Sequence, residues 1–84
     1  MPANSMFEFQ VKFTRDKETG QVVAKVPALD IADYGENSQQ AFQRLKRMVI
    51  FHLESLIEEG KPIPEEKQTG EGLYLRVRMP AVAA

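Results

Sequence analysis

Eighty-four residues, 43% of them hydrophobic and 27% charged, make one small domain, and a chain this short buries only about 60% of the surface it exposes when unfolded. The lack of cysteine excludes disulfides and thiolate chemistry, and a single histidine, His52, excludes an imidazole pair for zinc. Eleven basic residues against twelve acidic ones, with a pI near 5.8, exclude the broad basic field of a phosphate-backbone binder, and the short apolar runs exclude a membrane-spanning helix.

The first residues, Met1 to Ser5, carry neither a charged n-region nor an apolar h-region, so no signal peptide is expected and a cytoplasmic location follows. Residues 1–6 read as a disordered extension before a single domain over 7–80, with 81–84 as a tail. Phe7 to Phe13 alternates strictly, Phe7, Phe9, Val11 and Phe13 on one face and Glu8, Gln10 and Lys12 on the other, the pattern of a half-buried antiparallel strand. Thr14 to Gly20 is a polar turn in which Gly20 is free to take positive φ. Gln21 to Val26 is the return strand, with Val22, Ala24 and Val26 inward. Pro27 weakens the pairing because it has no N–H to donate. Ile31 to Tyr34 is a short third strand.

Asn37 is a good helix N-cap, and Gln40, three residues on, closes a capping box. At 100° per residue, Ala41, Phe42, Leu45, Val49, His52, Leu53 and Leu56 fall in one stripe. Gly60 supplies the terminating residue, and Pro62 and Pro64 forbid continuation. Such a helix is roughly 33 Å long, more than a short sheet needs, so its ends are expected to overhang towards a neighbouring subunit. Residues 65–72 read as a polar, mobile connection. Leu73 to Met79 alternates again, with Leu73, Leu75, Val77 and Met79 inward against Tyr74, Arg76 and Arg78, and Pro80 ends it. The fold class is α+β: two-layer β-β-β-α-β, one long helix on a four-stranded, mostly antiparallel sheet ordered 3-2-1-4, in which the helix joining the third strand to the last permits the last to lie parallel to the first.

No residue set carries catalytic, cofactor or metal chemistry. His52 lies inside the apolar stripe without the positioned partner a base needs. Glu8 on the first strand and Glu54, Glu58 and Glu59 on the helix do not converge as two-metal phosphoryl chemistry requires. Gly20, Gly35, Gly60, Gly70 and Gly72 are scattered through turns, and Ser38 and Ser55 have no base beside them. The outer helix face is the candidate site. Phe51 stands opposite the stripe among Arg47, Glu54 and Glu58, with Ile50 and Ile57 flanking it, and this apolar excess predicts contact with another polypeptide. The small core points the same way, to a homo-oligomer, a dimer or a tetramer. Arg44, Lys46 and Arg47 form a short basic cluster on a solvated face. Two other classes of function are weighed beside this one: a residual metal-dependent nuclease using Glu8, and a solitary nucleic-acid-binding domain using Arg76 and Arg78 beside Tyr74.

The order Phe9-x-Val11-x-Phe13, Asp16, Gly20, Val23-Ala24, Pro27-x-Leu29, Gly35-Glu36-Asn37, Ala41 and Gly60-x-Pro62-Ile63-Pro64 resembles the HicB antitoxin domain over nearly the whole chain, from about Phe7 to Met79. The resemblance implies a truncated ribonuclease H-like domain without nuclease activity or cofactor. Its partner would be a HicA-type toxin, a small ribonuclease whose active site it masks. Glu58, Glu59, Glu65 and Glu66 are expected to face the toxin's basic surface. The DNA-binding part that many family members carry after this domain is not expected within these residues, and DNA binding is not expected without it. Ile31-Ala32-Asp33-Tyr34 also replaces the Gly-Cys often found after the Pro-x-Leu segment, which leaves the toxin partnership open.

Overall fold

The computed structural model describes residues 4–64 and 72–80. Strand β1 runs from Asn4 to Arg15, β2 from Val22 to Val26 and β3 from Ile31 to Gly35; helix α1 spans Ser38–Glu58 and β4 spans Leu73–Pro80. The sheet order is β3-β2-β1-β4, and all three pairings are antiparallel. The helix packs on one face, and Phe9, Val11, Val22, Ala24, Val26, Leu29, Ala41, Leu45, Val49, Leu53, Leu75, Val77 and Met79 make the core between the two layers.

Local chemistry accounts for each boundary. Gly20 takes φ +75° to close the turn after β1, where its N–H donates to the Asp16 carbonyl. The three residues after β2, Pro27–Leu29, form one turn of 3-10 helix rather than a plain strand exit, and Asp30 enters the left-handed region at φ 54° to stop it. Pro27 sits at its first position, where the missing N–H costs nothing. Asn37 accepts from the Gln40 N–H through Oδ1, and Gln40 Oε1 in turn accepts from the Glu36 N–H, so the capping box reaches one residue further back than the usual form. At the other end Gly60 takes φ +69° and its N–H donates to the Ile57 carbonyl.

Two expectations are corrected and a third is qualified. Asn4, Ser5 and Met6 are not a disordered extension: they begin β1 and pair with Pro80, Met79 and Arg78. The hydrogen-bonded ladder to β4 holds them, whatever their side chains, while residues 1–3 lie outside the described residues. β4 is antiparallel to β1, not parallel, with Val11 opposite Leu73 and Asn4 opposite Pro80. Phe13, Ser38, Gln39, Phe42 and Leu73 line one shallow cavity, so β4 starts at the end of the sheet where α1 starts. The fourteen residues from Glu59 to Gly72 can span about 46 Å when extended, enough to retrace a helix of about 32 Å. Leu73, lastly, lies on the inward face as expected, opposite buried Val11, but as the first residue of its strand it is 47% exposed. Of the connection read as mobile, residues 65–71 lie outside the described residues, as does the tail, 81–84.

Candidate protein-interaction surface

Helix α1 presents a buried face, two flanks and an outer face. The buried one is Ala41, Leu45, Val49 and Leu53, with Phe42 and Leu56 packed against its margin and His52 half-buried beside it. On one flank Arg44 Nη1 donates to the Tyr34 carbonyl of β3 at 3.1 Å, which ties that side to the β3 edge. On the other flank Lys46 and Ile50 line a groove beside β4. Arg44, Lys46 and Arg47 therefore make no joint basic patch; only Arg47 points away from the sheet.

The outer face is centred on Phe51, which is 73% exposed. Arg47, Glu54 and Glu58 are exposed around it, four residues before, three after and seven after. Ile50 and Ile57 are not part of this exposed set: both are half-buried and pack against the core. The sheet is wider than the seven-residue stripe, so its β4 side draws in the flank on which they lie. In their place stands Met48, 45% exposed and one helical turn before Phe51, a residue sequence reasoning passed over although its i, i+3 spacing marks it as a neighbour. The apolar part of the surface is thus a methionine and a phenylalanine, rimmed by charge. Ser55 Oγ donates to the Phe51 carbonyl, so the polar residue next along bonds within the helix. Glu59, named with Glu58 as an acid for a basic partner, is paired with Lys61 at 2.8 Å, and Glu65 and Glu66 lie outside the described residues.

The open face of the sheet carries the residues of the other two readings. Glu8 is opposite Arg76 in the β1–β4 register, its carboxylate 3.7 Å from the Arg76 Nε. The helix acids lie across the sheet from it, and among the described residues no three His, Cys, Asp or Glu side chains come together. Tyr74, Arg76 and Arg78 share that face with Met6, Gln10, Lys12, Val23, Lys25 and Tyr34, as the registers require. No helix among the described residues is long and apolar enough to cross a membrane. In comparisons with known proteins, no family model matches the chain, and neither a curated protein nor a solved structure is found similar to it.

Proposed function

We propose that this chain is a non-catalytic protein-interaction module of the HicB-like antitoxin kind, cytoplasmic and self-associating, that docks a HicA-type ribonuclease through the outer face of α1 and masks it sterically. The observation that carries this reading is the exposure of Phe51 beside Met48, on a helix whose opposite stripe already fills the core. Burying a phenylalanine side chain contributes about 1.5–3 kcal/mol, which makes Phe51 the natural anchor of an interface. Exposed Glu54 and Glu58 on the rim would steer a basic partner during encounter.

Affinity capture from the host's own extract, followed by mass spectrometry, tests it. A small basic protein recovered with the wild type and lost with Phe51→Asp is the expected result. Recovery of no such protein, together with a strictly monomeric state at high concentration, would overturn the reading.

A further inference from the structure

A second surface lies at the far edge of the sheet and has no part in the Phe51 face. β4 is an edge strand: β1 covers one of its sides, and no other described strand pairs with the opposite one. Beside it runs a shallow groove of about 470 Å³ lined by Met6, Lys46, Ile50, Arg76, Val77 and Arg78. Three of these six are cations and none is an acid. The remaining three are apolar, with Val77 buried and Ile50 half-buried. Among the described residues neither Lys46 nor Arg78 has an acidic partner, and Arg76 has only the long contact to Glu8.

We propose that this edge accepts an extended acidic peptide as a fifth strand, one in which apolar and carboxylate side chains alternate. Backbone pairing along β4 would supply affinity, and the alternation would supply the choice of sequence. On the helix side, the incoming apolar side chains would extend the row of Val77 and Ile50. On the open side, its carboxylates would meet Arg76 and Arg78. A second copy of this chain fits poorly here, because antiparallel pairing of two β4 edges about Val77 sets Arg76 of one copy opposite Arg78 of the other. Like charges directly opposite across a ladder are destabilising. The arginines that reject a second copy are the groups that select an acidic strand.

The test uses a fluorescent peptide of about six residues, a common strand length, in which valine and glutamate alternate. Two controls accompany it: a peptide of the same composition in two blocks, and one with lysine in place of glutamate. Anisotropy should show binding of the alternating acidic peptide alone, and amide exchange should slow within Leu75–Met79. Lys46→Glu/Arg78→Glu, which leaves Arg76 and Glu8 in place, should weaken binding about tenfold and shift preference to the lysine peptide. Circular dichroism and urea unfolding confirm that the variant is folded; should it fail to fold, Arg78→Gln replaces it. Equal binding of the block peptide, or no loss in the charge variants, would overturn the proposal. So would exchange slowing on the Phe51 face instead. Concentration-dependent slowing of β4 exchange without peptide would assign the edge to a second copy. Binding of oligothymidylate in preference to every peptide would assign it to nucleic acid.

Discussion

Gly35 and Ala41 are in such close contact that a side chain on the glycine has nowhere to go. A Cβ built on Gly35 would stand 2.8 Å from the Ala41 Cα and press on its amide nitrogen. Gly35 ends β3 and Ala41 lies in the first turn of α1, so the glycine sets how closely the two layers approach. Gly35→Ala is expected to cost about 1–3 kcal/mol by overpacking, measured by urea unfolding. Gly20→Ala, where nothing lies within 4 Å but φ is +75°, should cost about 1 kcal/mol through backbone strain alone. Equal losses at the two sites would show that the close approach is not limiting.

The N-terminal cap gives a second, graded expectation. Asn37→Ala removes the acceptor of the Gln40 N–H and should cost about 1 kcal/mol. Gln40→Ala removes the acceptor of the Glu36 N–H, an exposed group that water can satisfy, and should cost less. Thermal unfolding of the two single variants and the double variant measures both terms and their coupling.

Substitutions on the two faces of α1 should separate folding from association. Leu45→Ala empties a fully buried core position and is expected to lose about 2–5 kcal/mol. Phe51→Asp changes an exposed position and should stay within about 0.5 kcal/mol of wild type in urea unfolding. Sedimentation velocity and partner capture should respond in the opposite sense, falling with Phe51→Asp. Loss of stability in Phe51→Asp would place this ring in the fold rather than at an interface.

At the Glu8–Arg76 pair the contact is long and Arg76 is largely exposed, so Glu8→Gln should change stability by less than about 1 kcal/mol. The same variant bears on chemistry. Incubation of the wild type with structured RNA and magnesium or manganese should give no cleavage that disappears in Glu8→Gln; Glu8-dependent cleavage would reinstate the nuclease reading.

Much of this architecture is legible in the residues, because side-chain alternation and helical periodicity report directly on faces. Val22, Ala24 and Val26 are buried as their spacing requires, and Asn37 caps the helix as its chemistry predicts. Alternation is, however, indifferent to strand direction, so Leu75, Val77 and Met79 point inward whichever way β4 runs. Its antiparallel course depends on the length of the connection before it. Asn4 to Met6 carry no apolar alternation and are held by main-chain pairing, which leaves no signature in side-chain type. At the candidate surface, the helical angle alone picks out Phe51. It does not place Ile50 and Ile57, because a helical wheel gives angles but not the width of the sheet beneath.

β1 is divided between its partners: Lys12 to Arg15 pair with β2, and Asn4 to Val11 pair with β4. On a ribosome the two halves are completed at different times. The first three strands emerge together and can associate through short-range contacts, whereas the mate of Asn4–Val11 is not synthesised until residues 73–80. Through most of translation, then, the row of Phe7, Phe9 and Val11 lacks its neighbouring strand, and nascent chains stalled before Leu73 should be the ones that aggregate or recruit chaperones.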